Sequence, residues 1–494
     1  MTTSETTGSL DLEQLSQQFI AGRWRDGTGG KVLTDSNPFT GDTIAEFAVA
    51  TPADVDEAYQ SCAETQSAWS QISAYDRRRV FERASALVEQ RFPEITKLIA
   101  DELGGTPLKA AFEIGLVIDM LKEAATLPLR IEGRIYPSPV PDTENLVYRV
   151  PVGVVGVISP FNFPFFLSMK SVAPALAVGN GVVLKPHEDS PITGGTLLAS
   201  IFAEAGLPDG LLNVIVTDIP TIGDYFLEHP VPRVLAFTGS TVVGRHIGEV
   251  AARNFKKAIL ELGGNSAFIV LDDADIDYAV DAAIFSRFTH QGQICMSANR
   301  VLVHRSIADE FRRRFTDKAS RLTVGDPSAE GTVIGPLINS RHVQMLDGMV
   351  DAALEEGATA TLRGETHGNL VSPTILENVD PSSDVAHAEL FGPVVILMEF
   401  DTDDEAIRIA NNTDFGLSGA VHTRDLTRGV QVAQRIHAGM VHVNDTTIAD
   451  EPIVPFGGEK HSGLGRLNGS SSIEELTTLK WISVNHGRRA YPYQ

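Results

Sequence analysis

Short β-branched runs alternate with helix-length segments along this chain, and that alternation limits the folds open to it. Residues 152–158 form a strand-like run, and residues 165–178 follow with helical spacing. Further strands are predicted at 182–184, 212–216 and 234–237, with a helix at 192–205, and the alternation returns at 267–303 and 394–436. Strands separated by helices form βαβ units, so the sequence predicts an α/β fold with parallel sheets covered by helices on both faces.

Chain length and charge narrow the class of protein. A chain of 494 residues is longer than a domain with a single hydrophobic core usually is, so we expect two α/β units. Ligand sites often lie at domain interfaces, so we expect the active site between these units. Asp and Glu outnumber Lys and Arg by 64 to 40, and so acidic a surface repels nucleic acid and anionic lipid. The expected partners therefore include neither nucleic acid nor a membrane.

The cysteines, the histidines and the first residues bear on location and on metal binding. Cys62 and Cys295 are the only cysteines, which excludes a disulfide framework. The 13 histidines are scattered without a His-Glu-x-x-His pattern, so no metal site is predicted. Residues 1–14 lack the basic-then-apolar order of a signal peptide, and no apolar run reaches the length of a membrane span. We expect a cytoplasmic protein.

Two residues suit acyl chemistry. Cys295 lies in Gln291-Gly-Gln-Ile-Cys295, between a predicted helix and a predicted strand, and a thiolate attacks carbonyl groups and leaves readily. Glu261 ends an apolar strand and precedes two glycines, a place where partial burial raises a carboxyl pKa toward that of a general base. Taken singly, each has a structural alternative: a buried apolar thiol and a carboxylate in a salt bridge.

Three further segments follow predicted strands. Asn162 lies between prolines in Ser159-Pro-Phe-Asn-Phe-Pro, where its amide is a candidate oxyanion donor or a turn former. Gly239-Ser240 through Gly244 opens a helix, whose free N–H groups suit a phosphate. Lys185 and Glu188 suit ribose hydroxyls or form a solvated charge pair.

In order and approximate spacing, these motifs resemble the aldehyde dehydrogenase superfamily. Later segments and the start of the chain are also similar: Phe19 to Trp24, Asn37 to Gly41, Glu389-Leu-Phe391-Gly-Pro393, Pro455-Phe-Gly-Gly458 and Ser462-Gly-Leu-Gly465. The resemblance covers nearly the whole chain. It implies oxidation of an aldehyde to a carboxylic acid with NAD, NADP also being accepted if Glu188 swings aside.

The resemblance also implies roles for individual residues. Cys295 would attack the aldehyde, Asn162 and the Cys295 backbone N–H would hold the oxyanion, and Glu261 would activate the hydrolytic water. Lys185 and Glu188 would contact the adenosine ribose, Ser240 the pyrophosphate and Glu389 the nicotinamide ribose. The complete set implied for the cofactor is Ser159, Pro160, Phe161, Lys185, Glu188, Gly239, Ser240, Gly244, Leu262, Glu389 and Phe391.

A subunit of three parts follows from the same resemblance. A Rossmann-like cofactor domain would comprise residues 1–132 and 150–262, and a catalytic α/β domain residues 263–465. Residues 133–149 and 466–494 would form a small β oligomerisation element, whose open strand edges favour a homodimer or homotetramer. One departure is Ser171, which stands where many relatives carry a cofactor-contacting Lys; Lys170 is next to it.

The substrate is expected to be an aromatic aldehyde such as benzaldehyde or vanillin. The loop from Ser159 to Pro174 is similar to that of the benzaldehyde, vanillin and salicylaldehyde dehydrogenases, and phenylalanines accompany the site motifs: Phe161, Phe163, Phe165, Phe166, Phe288 and Phe456. Some of these rings could form a flat apolar slot, although most could equally belong to the core. The alternatives are an aliphatic or semialdehyde dehydrogenase, a CoA-acylating relative, against which Glu261 argues, and a catalytically inactive structural protein.

Overall fold

The computed structural model describes residues 10–493 of the chain. Residues 1–9, part of the segment for which the sequence predicts no signal peptide, lie outside the described residues. The strands are β1 (Gln18–Ile20), β2 (Arg23–Arg25), β3 (Val32–Ser36), β4 (Thr43–Ala48), β5 (Arg134–Tyr136), β6 (Thr143–Pro151), β7 (Val154–Ile158), β8 (Gly181–Lys185), β9 (Leu212–Val214), β10 (Val234–Thr238), β11 (Lys257–Glu261), β12 (Ser266–Val270), β13 (Ala298–His304), β14 (Thr359–Leu362), β15 (Thr366–His367), β16 (Leu370–Val371), β17 (Thr374–Glu377), β18 (Val394–Phe400), β19 (Gly419–His422), β20 (His442–Val443), β21 (Gly463–Leu464) and β22 (Thr477–Asn485).

The helices lie between these strands and mostly cover their faces. They are α1 (Leu12–Leu15), α2 (Pro52–Gln71), α3 (Ala74–Gln90), α4 (Phe92–Leu103), α5 (Pro107–Ala124), α6 (Pro164–Ala177), α7 (Leu197–Glu204), α8 (Ile219–Ile222), α9 (Tyr225–Glu228), α10 (Thr241–Arg253), α11 (Ile276–Phe288), α12 (Arg305–Ser320), α13 (Ser340–Glu355), α14 (Asp384–His387), α15 (Asp403–Asn411), α16 (Leu426–Ala433) and α17 (Gly469–Leu476). Within residues 10–493, no helix combines the length and the apolar character needed to cross a bilayer.

The first large sheet has the strand order β2-β1-β9-β8-β7-β10-β11-β21. Its five central strands are parallel, while β1, β2 and β21 join the two edges in antiparallel pairing. From β7 the chain builds outward through β8 and β9, and it then crosses back to place β10 on the other side of β7. This reversal is a topological switch point, where open α/β sheets leave a crevice for a ligand.

The second large sheet has the order β14-β17-β18-β13-β12-β19-β20, with parallel pairing from β17 to β20. β14 pairs antiparallel to β17 at one edge. The burial of β12 and β13 is nearly continuous, as a strand covered by helices on both faces requires. The predicted α/β class with two parallel-sheet units is therefore confirmed.

A third, antiparallel sheet consists of β5, β6 and β22. β22 and β6 pair along nine residues, from Thr477 opposite Pro151 to Asn485 opposite Thr143. The sheet exposes large apolar side chains, with 78% of Ile135, 61% of Leu479 and 68% of Trp481 accessible. An apolar surface of this kind on a sheet is typical of a protein interface.

The helix predicted at 192–205 differs from the prediction in its first turn. Ile192–Thr196 is a π-helical turn, and the α-helix begins only at Leu197. The two carboxylate oxygens of buried Glu102 accept the N–H groups of Ile192 (2.7 Å) and Thr193 (2.8 Å). A side chain from α4 thus accepts the N–H groups at the start of this helical segment. Local periodicity does not reveal such a contact between distant segments.

Candidate active site

The carboxyl ends of four neighbouring parallel strands bring the predicted motifs to one edge of the first sheet. β8 ends at Lys185, β7 at Ile158 and β11 at Glu261, and Thr238 at the end of β10 lies opposite Glu261. The segments that follow β7 and β10 are those that contain Asn162 and Ser240. The segments that the sequence singled out therefore follow the strand ends at the switch point.

Two glycines after Glu261 let the second unit approach this edge closely. A Cβ atom on Gly264 would lie 2.2 Å from the Cys295 carbonyl oxygen, and one on Gly263 would lie 2.5 Å from Glu389 Oε2. Both distances are far inside van der Waals contact, so any larger residue would displace the cysteine loop or the glutamate. The glycine pair thus provides close approach of backbones, in addition to flexibility.

The loop before Cys295 has an unusual backbone. His290, Gln291 and Gly292 all have positive φ angles, of 49°, 58° and 74°. A left-handed non-glycine residue costs on the order of 1–3 kcal/mol and persists only where its surroundings fix it. The Gln291 amide supplies such contacts, because Nε2 donates to the carbonyl oxygens of Gly104 (3.2 Å) and Pro336 (2.9 Å).

Cys295 is a free, half-buried thiol in mostly apolar surroundings. It packs against an apolar cluster whose members are Phe163, Ile294, Met296, Leu417, Ile448 and Phe456, with Leu167 and Met440 at its margin. Burial raises the pKa of the Cys295 thiol, the negative charges of Glu389 and Glu261 raise it further, and Lys170 opposes them. The protonated thiol is therefore favoured at neutral pH, and Cys295 must lose its proton before or during attack on a carbonyl group.

Asn162 is buried and its side chain reaches the cysteine loop. Its Nδ2 donates a hydrogen bond of 2.9 Å to the carbonyl oxygen of Gln293, two residues before Cys295. An amide nitrogen carries two N–H bonds, so this contact orients the group and leaves its second donor available. The geometry suits a fixed oxyanion donor.

Glu261 is 5% exposed, and neither of its carboxylate oxygens accepts a hydrogen bond within the described part of the chain. Burial raises the pKa of Glu261 to about 8; Lys170 and Arg466 lower it and Asp450 raises it. A carboxyl group with such a pKa exchanges protons near neutral pH, as a general base must.

Lys170 and Asp450 form a buried ion pair beside Glu261. The Lys170 ammonium lies 2.6 Å from Asp450 Oδ2, and their side chains are only 2% and 3% exposed. Asn468 Nδ2 donates to the other Asp450 oxygen at 2.8 Å, and the ammonium also lies 3.2 Å from the centroid of the Phe456 ring. Ser171, at the position where the resemblance predicts a Lys, is buried within α6, and the neighbouring Lys170 places its charge among the site residues.

The crevice side of the site contains the residues predicted for the ribose groups. Lys185 is buried, and burial lowers the pKa of its ammonium group. The ammonium donates a long hydrogen bond of 3.5 Å to the Pro186 carbonyl oxygen. Glu188 is half-buried three residues later. Ser159 and Pro160 are buried at the end of β7, and Ser159 Oγ has no hydrogen-bond partner among the described residues. Polar groups left free in a crevice fit a polar ligand.

The start of α10 lies on the same edge. Ser240 is the N-cap residue of the helix, exposed, with its hydroxyl oxygen accepting the Val243 N–H at 3.4 Å, and Gly239 N–H donates to Glu261 O at 3.0 Å. A Cβ on Gly244 would meet a Leu262 methyl at 2.2 Å, so helix and strand pack without space for a side chain. A helix start at a switch point fits the pyrophosphate of a dinucleotide.

A cluster of aromatic and imidazole rings surrounds Phe161, in the loop that follows β7. Phe161 contacts Phe391, with ring centroids 5.8 Å apart, and also His187 at 5.3 Å and His342 at 6.3 Å, all edge-on. Phe391 has a φ of 44°, and its carbonyl oxygen lies 2.7 Å from His342 Nε2. These contacts fix an aromatic pair that spans the two α/β units.

Glu389 contacts the glycine pair that follows Glu261. Its Oε1 accepts the Gly264 N–H at 3.0 Å. Burial raises the pKa of Glu389 to about 7, with the Gly264 N–H and the Arg287 charge opposing that rise. Taken together, the switch point, the N-cap at Ser240, the unpaired hydroxyl of Ser159 and the ammonium of Lys185 fit the dinucleotide that the resemblance implies.

The phenylalanines predicted around the site divide between several locations. Phe163 and Phe456 belong to the apolar cluster at Cys295, and Phe161 belongs to the crevice wall. The other three belong to the hydrophobic cores: Phe165, Phe166 and Phe288. Two of the six rings therefore belong to the cluster against which Cys295 packs.

The sequence motifs did not reveal five charged or polar residues of this region. Asp450 and Asn468 lie in loops without a distinctive local pattern, and Lys109 and Glu113 lie on α5, far from the motifs along the chain. One signal was present, since a Lys spaced four residues from a Glu in an otherwise apolar helix is a candidate buried pair. His342 had no comparable signal.

Comparisons with known proteins agree with this geometry. The sequence profile of the aldehyde dehydrogenase family matches residues 24–482. The chain is 61% identical over 484 residues to a benzaldehyde dehydrogenase of Bacillus subtilis, covering 98% of this chain and all of that protein. It is 46% identical over 471 residues to a vanillin dehydrogenase of Corynebacterium glutamicum, covering 95% of this chain and 97% of that one. The crystal structure of an NAD-dependent benzaldehyde dehydrogenase from Corynebacterium glutamicum superposes with a TM-score of 0.89 at 43% identity, covering 97% of this chain and 100% of that one.

Proposed function

The chain belongs to the aldehyde dehydrogenase family, and on that premise we propose that it oxidises aromatic aldehydes such as benzaldehyde or vanillin to the corresponding carboxylic acids with NAD. The observation that carries the proposal is the apolar cluster against which Cys295 packs, because it contains the aromatic rings of Phe163 and Phe456. Aromatic rings in edge-on or offset contact gain about 0.5–1.5 kcal/mol beyond simple burial. The names of the relatives, a benzaldehyde and a vanillin dehydrogenase, support the same substrate class.

The first half of the reaction forms a covalent intermediate. The partly exposed Cys295 thiol loses its proton to solvent, and the thiolate attacks the aldehyde carbon. The resulting alkoxide receives hydrogen bonds from Asn162 Nδ2 and the Cys295 backbone N–H. Fixed donors at this point stabilise charge that develops in the transition state, and removing one such donor typically costs about 10²–10³ in kcat. When bound, the nicotinamide of NAD would accept a hydride from the former aldehyde carbon, and the loss of that hydride leaves a thioester on Cys295.

The second half is hydrolysis of the thioester. Glu261 takes a proton from a water molecule, the water oxygen attacks the acyl carbon, and the Cys295 sulfur leaves as a thiolate. The isolated carboxylate of Glu261, with its pKa near 8, supports the role, because a base needs unoccupied oxygens and a pKa close to the working pH. A CoA-acylating enzyme needs no such base.

The residues proposed to hold NAD lie along the crevice. Lys185 and Glu188 would bind the adenosine ribose, the start of α10 at Ser240 the pyrophosphate, and Glu389 the nicotinamide ribose. The Glu188 carboxylate accepts hydrogen bonds from ribose hydroxyls and repels a 2′-phosphate, so NAD is preferred to NADP.

The cations near Glu261 argue against a semialdehyde as the substrate. The Lys170 ammonium is paired with Asp450, and the Arg466 guanidinium with Glu459. Neither charge is free to bind the distal carboxylate of a semialdehyde without the loss of its present partner. The apolar lining of the remaining cluster favours an uncharged ring.

The division of the subunit and its assembly complete the proposal. Residues 1–132 with 150–262 would bind the cofactor, residues 263–465 would carry the catalytic cysteine, and residues 133–149 with 466–494 would mediate assembly. The exposed apolar side chains of the third sheet support a homodimer or homotetramer. The free thiols of Cys62 and Cys295 support a reducing compartment, and we propose the cytoplasm.

A comparison of substrates under one condition tests the proposed function. The ratio kcat/KM is measured with benzaldehyde, hexanal and succinic semialdehyde at saturating NAD. We expect benzaldehyde to exceed both others by about tenfold or more, since roughly 1.4 kcal/mol of added ring contact suffices. A comparable advantage for hexanal or the semialdehyde would refute the aromatic assignment and leave the aldehyde dehydrogenase chemistry intact.

A further inference from the structure

An ion pair that takes no direct part in the chemistry lies behind the Asn162 loop. Lys109 and Glu113 are one turn apart on α5, their charged groups are in contact, and their side chains are 1% and 0% exposed. Removing two charges from water costs several kcal/mol per ion, which attraction within the pair only partly offsets. Because desolvation of these charges is unfavourable, we looked for a function of the pair in its contacts with other residues.

Glu113 caps the helix that begins directly after Asn162. The helix α6 starts at Pro164, and its N-cap residue, Phe163, provides no capping side chain. Glu113 Oε1 instead accepts the N–H of Phe166, in the first turn, at 3.2 Å. A carboxylate at a helix N-terminus is stabilised by the helix dipole, so this contact fixes the direction in which α6 leaves the loop.

Lys109 contacts the residue that follows Asn162. Its ammonium lies 4.5 Å from the centroid of the Phe163 ring. The imidazole of buried His290 packs edge-on to the same ring at 5.3 Å, and burial together with the Lys109 charge lowers the pKa of His290 well below its ordinary value. Phe163 is thus in contact with a cation and with a neutral imidazole.

These contacts connect to both partners of the hydrogen bond that orients Asn162. Phe163 follows Asn162 directly, and His290 precedes Gln293, which accepts the Asn162 amide N–H at 2.9 Å, by three residues. A displacement of Phe163 or His290 therefore moves the donor, the acceptor or both. Catalytic groups lose activity when they are misplaced by about 1 Å.

We propose that Lys109 and Glu113 are positioning residues that hold the Asn162 amide where the oxyanion forms. The inference rests on the proposed function in one respect, the role of Asn162 as an oxyanion donor. Lys109 and Glu113 themselves touch neither substrate nor cofactor. They act through the start of α6 and the ring of Phe163.

The test removes the charges of Lys109 and Glu113 from a chain that has the Asn162 amide and from a chain that lacks it. The variant Lys109→Met/Glu113→Leu replaces both charges by apolar side chains, a change that is often neutral for stability. It is made in the wild-type chain and in an Asn162→Ala background. The matched control is Lys97→Met/Asp101→Leu, which removes an exposed pair of the same spacing on α4.

The readout is the first-turnover burst of p-nitrophenolate from p-nitrophenyl acetate, which needs the Cys295 thiolate and the oxyanion donors but no cofactor. We expect the burst rate to fall by about tenfold or more in the wild-type background and by less than about twofold in the Asn162→Ala background, because residues that act through one group are not additive. The apparent KM for the ester should stay within about twofold of its wild-type value. The control substitutions Lys97→Met/Asp101→Leu should leave the burst rate unchanged in both backgrounds.

Equal losses in the two backgrounds would overturn the inference, since a general structural defect does not depend on Asn162. A full burst rate in the first variant would overturn it as well. Should that variant not fold, Glu113→Asp decides, because it keeps both charges and withdraws the acceptor from Phe166; the same dependence on Asn162 is expected. Failure of the proposed function is distinguishable, since benzaldehyde oxidation would then be absent from the wild-type chain while the ester burst remained.

Discussion

The charge environment of Glu261 predicts how thioester hydrolysis depends on pH. With a pKa of about 8, Glu261 is ionised in about one molecule in ten at pH 7 and in about nine in ten at pH 9. Only the ionised carboxylate accepts a proton from water. The hydrolysis rate should therefore rise about tenfold over this range and level off above about pH 9.

The two members of the neighbouring ion pair should shift this profile in opposite directions. Lys170 lowers the pKa of Glu261 and Asp450 raises it. Lys170→Met removes the favourable charge, so the midpoint should move up by about one pH unit and the rate at neutral pH should fall about tenfold. Asp450→Asn leaves the ammonium unpaired beside Glu261, so the midpoint should move down and the rate at neutral pH should rise.

The assay is acid release in a single turnover, with benzaldehyde limiting and NAD saturating, after the NADH burst is complete. Ser171→Ala, on the same helix as Lys170, is the matched control and should leave the midpoint unchanged. A flat profile in the wild-type chain, or shifts of the same sign for Lys170→Met and Asp450→Asn, would refute the electrostatic reasoning.

Three further outcomes follow from the site. Cys295→Ala should reduce aldehyde oxidation to below a few per cent of wild type while NAD binding, measured by fluorescence titration, stays within about twofold, because the thiolate acts only on the substrate; substantial residual turnover would exclude the covalent route. Glu261→Gln should release about one NADH per active site and then stall, since acylation does not need the base; loss of the burst itself would place Glu261 in an earlier step. NAD should give a higher kcat/KM than NADP, and Glu188→Gln should narrow that difference by removing the charge opposite the 2′-phosphate; an unchanged ratio would mean that Glu188 does not discriminate.

Periodicity was sufficient to predict the α/β class, because strands buried on both faces and separated by helices leave a strong local signal. Strand β10 at Val234–Thr238 begins at the predicted residue and ends one residue later than predicted, and α6 at Pro164–Ala177 begins and ends one residue before its prediction. The π-helical turn at Ile192–Thr196 was not predicted, since it is accompanied by hydrogen bonds to Glu102 on a distant helix. Contacts between remote segments have no local periodicity.

The same limit applies to the site. Cys295, Glu261 and Asn162 lie in segments that a local motif marks, and the fold brings those segments together. The Lys170–Asp450 pair could not be predicted, because it joins residues 280 positions apart and its effect on Glu261 depends on burial. Lys109 and Glu113 were missed for a different reason: their spacing is visible, but buried and solvated pairs have the same spacing.

The central claim is that an aromatic acyl group is carried on Cys295, and trapping that group tests it most directly. Glu261→Gln is mixed with benzaldehyde and NAD, quenched in acid at the end of the NADH burst and analysed by peptide mass mapping. One benzoyl group should be found on the peptide that contains Cys295, in an amount equal to the NADH formed, and none should be found when NAD is omitted. NADH formation without an adduct, or a benzoyl group on any other residue, would contradict the account.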